Sequence, residues 1–347
     1  MPHFYAVHKI MKQYRIAVVG ATGMVGRKFL QVLEERQLPV SEYFLFASAR
    51  SAGKQLDFNG SAYTVRELTD SAFQDLNIDI ALFSAGGETS RHFAPIVAST
   101  GAVVIDNSSC WRMDPDVPLV VPEVNPDAIS DYRKKGIIAN PNCSTIQAMV
   151  VLKPLSDAFG LKRVIYSTYQ AVSGAGMKGY TDLVNGLGSS NEPLQKFPHP
   201  IAGNCLPHID VFLDNGYTKE EQKMIDETRK ILSLPNLPVT ATTVRVPVFY
   251  GHSESINVEF ERQFDLDELR AILSDAPGLI VQDDPAKNIY PMAVDAADTD
   301  PVYVGRIRRD FSVESGVNLW CVADNIRKGA ATNAVQIAQE LIRQWEA

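Results

Sequence analysis

The sequence is poor in several residue types, and each scarcity narrows what the chain can be. Its 347 residues include only four cysteines, six histidines and three tryptophans. No two cysteines stand as C-x-x-C, which argues against a zinc ribbon or a thioredoxin-type motif, and no metal site is expected. Four cysteines in a chain this long make no disulfide framework, so a reducing, cytoplasmic setting is the expectation. No run of about 20 apolar residues occurs, so no transmembrane helix is expected. Residues 1–12 lack the continuous apolar core of a signal peptide and read as an extension before the first strand. Positive charge is not in excess: 33 Lys and Arg face 41 Asp and Glu, a net charge of −8. That excludes a nucleic-acid or anionic-membrane binder working through its overall field, but not small anionic ligands that answer to local charge.

The chain has what a globular protein needs. Apolar residues make up 45% and charged residues 21%, enough for a full-sized core. At roughly 150 residues per domain the length favours about two domains. The first half alternates β-rich runs (14–19, 43–47, 79–83, 102–106) with helical patterns ending near 35 and spanning 90–99. Strand and helix in alternation mean a parallel, doubly wound sheet. The second half carries longer strands, 164–172, 240–249, 254–264 and 302–310. There Ile256, Val258 and Phe260 alternate with polar neighbours, the pattern of a largely antiparallel sheet with one covered face. Helices are expected at 144–158, 218–232, 265–273 and 327–345, and residues 185–207 read as a long loop without obvious chemistry.

Gly20-Ala-Thr22-Gly23-Met24-Val25-Gly26 lies between the first strand and the first helix. Glycines there allow a tight turn, close backbone approach to a pyrophosphate and tight helix–strand packing, with the helix N-terminus facing the phosphates. The spacing is G-x-x-G-x-x-G, one residue wider than the usual dinucleotide fingerprint, and a plain packing turn is the competing reading. The second strand ends without the acid that would bind a ribose hydroxyl. Ser48, Arg50 and Ser51 follow instead, which suits a 2′-phosphate and therefore NADP(H), unless the loop is simply solvated and basic.

Asn140-Pro141-Asn142-Cys143-Ser144-Thr145 precedes an apolar helical run. A thiol at a helix N-terminus is a plausible nucleophile with a lowered pKa, capped by Ser144 or Thr145. A small buried hydrophobe is the alternative. Among the six histidines, His252 in Arg245-Val-Pro-Val-Phe-Tyr-Gly251-His252-Ser253 is the best candidate partner, at a strand end after a glycine. Glu220 and Lys223 are i,i+3 on one helix and read plainly as a surface ion pair.

Together GATGMVG, SSCWR, NPNCST, YQAVSGAG, RVPVFYGHS and NIRKGAATNAVQ resemble the aspartate-β-semialdehyde dehydrogenase family over nearly the whole chain. The resemblance implies an α/β protein with a Rossmann-type NADP-binding domain (13–142) and an α+β catalytic and dimerisation domain (143–322). A C-terminal helix (323–347) would return to the first domain. It implies NADPH-dependent conversion of L-aspartyl 4-phosphate to L-aspartate 4-semialdehyde, supplying lysine, threonine, methionine and diaminopimelate, in a homodimer or homotetramer. It also implies site roles: Cys143 as nucleophile, His252 as general acid/base and Gln170 as orienter. Arg245 would grip the substrate α-carboxylate and Glu220 its amino group. Arg112, Lys223 and Asn142 would hold phosphate, and Ser173, Gly174 and Asn325 would lie by the cofactor. Three other readings stay open: a reductase for N-acetylglutamyl phosphate, a glyceraldehyde-phosphate-type dehydrogenase, and a non-catalytic NADP-binding protein.

Overall fold

A computed structural model describes residues 12–188 and 192–347. The extension read at 1–12 lies outside these residues except for Lys12. In chain order the first half contains β1 (Tyr14–Val19), α1 (Met24–Arg36), β2 (Val40–Ala47), β3 (Gln55–Phe58), β4 (Ser61–Thr64), β5 (Arg66–Glu67), β6 (Ile80–Phe83), α2 (Gly87–Ser99), β7 (Val103–Asp106) and β8 (Ile137–Ala139). Six of these strands form one sheet in the order β5-β2-β1-β6-β7-β8, and every pairing in it is parallel. The strand order reverses at β1, with β2 on one side and β6 on the other. A crevice opens beyond the carboxyl ends of strands at such a switch point. The turn at Gly20–Gly26 sits there.

The segment that bears Cys143 opens the second half: α3 (Cys143–Phe159), β9 (Leu161–Gln170), α4 (Gly176–Leu187), α5 (Lys219–Ile231), β10 (Val239–Arg245), β11 (His252–Phe260), α6 (Leu266–Asp275), β12 (Leu279–Val281), α7 (Ala293–Ala296), β13 (Val302–Asp310), β14 (Gly316–Ala323) and α8 (Asn333–Glu346). The second sheet runs β10-β9-β11-β14-β13-β12. Its three central pairings are antiparallel and the two outer ones parallel. The helix α3 is apolar almost all round, because it lies between the two halves and contributes Ile146, Met149, Val150, Leu152 and Leu155 to a core shared with both. The last helix packs Val335, Ile337, Ala338 and Leu341 onto the first sheet's Ile16, Val18 and Leu82.

Four elements depart from the sequence expectation. The strands expected at 164–172 and 240–249 stop at Gln170 and Arg245, which makes both residues strand termini. The expected helix 327–345 begins instead as a π-helical turn, Arg327–Thr332. Part of the expected loop 185–207 belongs to α4, and the Asp182 carboxylate accepts the amides of Gln195, Lys196 and Phe197, pinning the rest. None of the described helices is long and apolar enough to cross a membrane.

The alternation seen at Ile256, Val258 and Phe260 extends back to Glu254 and His252, all on the buried face of β11. Glu254 is wholly buried, and neither carboxyl oxygen has a hydrogen-bond partner. Burial pushes its pKa well above the usual carboxylate range. The folded state therefore holds a proton that unfolding releases into neutral solution. Stability falls as pH climbs above the ordinary carboxyl pKa of about 4.3. Glu254→Gln removes that dependence. Its melting temperature should exceed wild type by a margin that widens between pH 5 and pH 8. A constant margin would show that Glu254 is not held protonated.

Candidate functional site

The turn after β1 is built by close contact. Gly20 has φ +85°, and a Cβ there would lie 2.3 Å from the Ser84 carbonyl oxygen. A Cβ on Gly26 would lie 2.1 Å from the Gly20 oxygen, so α1 can only sit this low on the turn because both residues are glycine. Gly23 is the N-cap of α1, and neither a capping side chain nor an acidic residue occupies the first turn. The first-turn amides, Met24 and Val25 among them, are thus open to an anion. Thr22 Oγ1 donates to Ser51 Oγ (3.4 Å), which draws the loop after β2 toward the same turn. Ser48 accepts from the Ser51 and Ala52 amides. Arg50 is exposed. These residues fit a dinucleotide with an extra phosphate.

The register of the second sheet assembles the other wall. Arg245 at the end of β10 pairs with Gln170 at the end of β9, and Ser253 of β11 pairs with Tyr169. His252 pairs with Ala323 at the end of β14, two residues before Asn325. Gln170, Arg245, His252 and Asn325 therefore meet at one end of the sheet. Facing them is a cavity of about 470 Å³, whose lining includes Met24, Val25, Arg112, Asn142, Cys143, Gln170, Ser173, Gly174, Glu220, Lys223, Arg245 and Asn325. A larger depression of about 570 Å³ beside Trp111, Tyr132 and Gly136 has none of the candidate residues in its lining.

Cys143 opens α3, but the capping expected of Ser144 or Thr145 is reversed. Asn142 Oδ1 accepts the amides of both, at 3.0 and 3.3 Å. Both amides serve the cap, and the Ser144 amide also favours the thiolate slightly. Burial pushes the thiol pKa up to about 12, helped by the charge of Glu220 and opposed by Arg245 and Arg112. The resting side chain is a thiol, contrary to the lowering expected of a helix N-terminus, because desolvation outweighs the dipole and the two arginines.

His252 is fully buried behind Gly174, where a Cβ would lie 3.2 Å from the ring's Nε2 and 2.9 Å from Arg245 Nη1. Its Nδ1 accepts the Ala171 amide at 3.0 Å. The neutral ring therefore carries its proton on Nε2. Burial, then the Arg245 charge, push its pKa down to about 3, so it is neutral at physiological pH. Gln170 is fixed at both ends: its Oε1 accepts from Thr168 (3.0 Å) and its Nε2 donates to Glu220 Oε1 (3.1 Å). That amide also lies 3.5 Å from His252 Nε2.

The surface-pair reading of Glu220 and Lys223 fails. Glu220 is buried and accepts from Asn142 Nδ2 (2.8 Å), Gln170 and Lys223 (3.0 Å). Burial alone would raise its pKa, but the Lys223 charge and these hydrogen bonds hold it at about 2. Lys223 also donates to Asp210 at 2.8 Å, and its pKa is raised because the two carboxylates outweigh its burial. Arg112 is heavily engaged, through Nε to the Asn140 carbonyl, Nη1 to Glu227 and Nη2 to the Asn107 carbonyl. One N–H on each Nη remains for a ligand. Arg245 gives Nη1 to the Ala171 carbonyl (2.6 Å), and its buried Nε has no partner. The Nε/Nη2 edge is left for a carboxylate, side by side. Asn325 Oδ1 accepts the Gly251 amide, and its Nδ2 donates to Ser173 Oγ (3.1 Å), which joins the two residues expected near the cofactor.

Several contributors went unread in the sequence. Glu227 holds both Arg112 and the backbone amide of Asn142 (2.7 Å). The only signal was its seven-residue spacing from Glu220 on one helix face. Asp210, on Lys223, had none. Of the other three cysteines, Cys321 is buried and Cys110 partly so, whereas Cys205 is exposed. Among the described residues no group of three or more His, Cys, Asp and Glu could hold a metal ion.

Comparison with known proteins accords with this geometry. Residues 15–132 match a family model described as semialdehyde dehydrogenase, NAD binding domain. Residues 152–328 match one described as semialdehyde dehydrogenase, dimerisation domain. Aspartate-semialdehyde dehydrogenase of Aquifex aeolicus is 60% identical over 95% of this chain and 98% of its own length. The solved structure of aspartate semialdehyde dehydrogenase II from Vibrio cholerae, complexed with ASA, is 51% identical, with TM-score 0.91 over 96% of this chain and 99% of that one. The enzyme from Candida albicans, solved with NADP, is 26% identical, with TM-score 0.76 over 95% of this chain and 98% of that one. On the strength of two matched domains and end-to-end identity of this order, the chain belongs to the aspartate-semialdehyde dehydrogenase family.

Proposed function

We propose that this chain reduces L-aspartyl 4-phosphate to L-aspartate 4-semialdehyde with NADPH, reversibly and with phosphate as co-substrate of the reverse reaction. The observation that carries this is the meeting of Cys143, an anionic Glu220, the free edge of Arg245 and the phosphate-facing cations Lys223 and Arg112 around one cavity. Met24 and Val25 of the dinucleotide turn line the same cavity.

Each group has a distinct task. Arg245 takes the substrate α-carboxylate on its Nε/Nη2 edge, which Lys could not reproduce. Glu220 takes the α-ammonium. A substrate ammonium there offsets the Glu220 charge that adds to burial in raising the thiol pKa, which favours loss of the Cys143 proton to solvent. The thiolate attacks the acyl carbon, a C–S bond forms, and the C–O bond to phosphate breaks with its electron pair leaving on phosphate. Lys223 and Arg112 stabilise the departing anion, and Gln170 orients the thioester. NADPH, when bound, supplies hydride to the thioester carbon. His252 presents Nε2–H to the oxygen where negative charge develops, and collapse then releases aldehyde and thiolate. Ser173, Gly174 and Asn325 form the cofactor-side wall, and Ser48, Arg50 and Ser51 face the 2′-phosphate.

An N-acetylated substrate presents no ammonium to Glu220, which disfavours the acetylglutamyl-phosphate reading. The assembly is a homodimer or homotetramer. Exposed Tyr169, Tyr290 and Met292 around the second sheet support a subunit contact. Four free cysteines fit a reducing cytoplasm.

Two experiments test this reading. Purified protein should reduce NADP⁺ with aspartate semialdehyde only when phosphate is present, and Cys143→Ala should abolish turnover while changing NADP affinity less than twofold. Turnover with N-acetylglutamate semialdehyde alone, or an active Cys143→Ala enzyme, would overturn it. Losing the charge-assisted contacts of Arg50 should cost about 1.5–3 kcal/mol. Arg50→Ala should therefore weaken NADP roughly 10- to 100-fold while leaving NAD nearly unchanged. Equal losses for both cofactors would remove the 2′-phosphate role.

A further inference from the structure

After β14 the chain makes a π-helical turn, Arg327–Thr332, before α8 begins. The i→i+5 geometry shows in the Ala331 amide donating to Ile326, and the Gly329 amide donates to Asp324. All six residues of the turn are buried. Such turns are rare and recur at functional sites, because they push a piece of backbone out of the helical path. Here the displaced piece is Gly329. A Cβ on it would lie 2.9 Å from Cys143 Cβ, 3.3 Å from Cα and 3.4 Å from the carbonyl oxygen. The backbone of Gly329 is therefore packed directly against Cys143.

The turn is clamped on every side. The Asp324 carboxylate accepts the Ile326 and Arg327 amides. Arg327 reaches Glu35 in the last turns of α1 and also Asp298 and Asp300. Lys328, fully buried, donates to Glu123, Asn333 and Gln336. The Ala330 carbonyl accepts from Asn140 Nδ2, three residues before Cys143.

We infer that this π-turn is the positioning device for the nucleophile, with Gly329 as the platform that sets Cys143 and Arg327 as the clamp that ties the platform to the cofactor-binding helix. The inference rests on the reading of Cys143 as nucleophile. Gly329 itself takes no part in bond making. Its contact with the Cys143 backbone is at the limit of close packing, so one added methyl must move the thiol or open the turn. A displacement of about 1 Å at a reacting atom costs on the order of 100-fold in rate.

The test uses the full-length enzyme. Gly329→Ala should lower kcat at least about 50-fold, with KM for phosphate and NADP affinity within threefold of wild type. The rate of Cys143 alkylation by iodoacetamide should change at least tenfold. A wild-type kcat together with a wild-type alkylation rate would overturn the inference. Should Gly329→Ala fail to fold, Arg327→Lys carries the test, since one ammonium cannot hold three carboxylates in the guanidinium's geometry. It should lower kcat about tenfold and shift the alkylation rate, with NADP affinity unchanged, and wild-type values of both would again overturn it. An active Cys143→Ala enzyme would instead remove the nucleophile reading, and the alkylation data would still report whether the turn sets the thiol.

Discussion

The site depends on two buried carboxylates standing two turns apart on one face of α5. Glu227 holds the backbone amide of Asn142 and the guanidinium of Arg112. Glu220 holds the Asn142 side chain, Gln170 and Lys223. The N-terminus of α3, the end of β9 and the cations Arg112 and Lys223 are all held by these two groups. Buried charges are costly unless every lone pair is met, and removing one partner from such a pair typically costs about 3–5 kcal/mol. The network therefore defines geometry more than it adds stability. It keeps Asn142 beside Cys143, Gln170, Arg112 and Lys223 in fixed relation.

The electrostatics of the cavity oppose those of the whole chain. The net charge of the chain is −8, whereas Arg112, Lys223 and Arg245 collect around one cavity. Glu220 is the counterweight, and it is ionised because Lys223 and two amide donors hold it so. The same environment keeps Cys143 a thiol and His252 a neutral donor at rest.

Much of the fold was legible because local patterns and global packing agree. β1, the glycine turn and α1 follow from an apolar run, three glycines and helical spacing. Parallel pairing followed from strand–helix alternation, and the one-sided face of β11 from period two. Cys143 and the dinucleotide turn were legible for the same reason, since their chemistry is written in contiguous residues. Glu227, Asp210, Glu254 and Gly329 were not. Each acquires its role from a residue tens to hundreds of positions away, and nothing in its own neighbourhood distinguishes a buried acid from a solvated one.

By itself the sequence determined the fold class, the dinucleotide turn, the place of the thiol at a helix start and the family resemblance, because these rest on short-range periodicity and contiguous motifs. Only the tertiary structure decided the protonation states of Cys143, His252 and Glu254, the burial of the Glu220–Lys223 pair and the π-turn against Cys143. Those depend on desolvation and on charges brought together across the chain, and a linear pattern carries no measure of either.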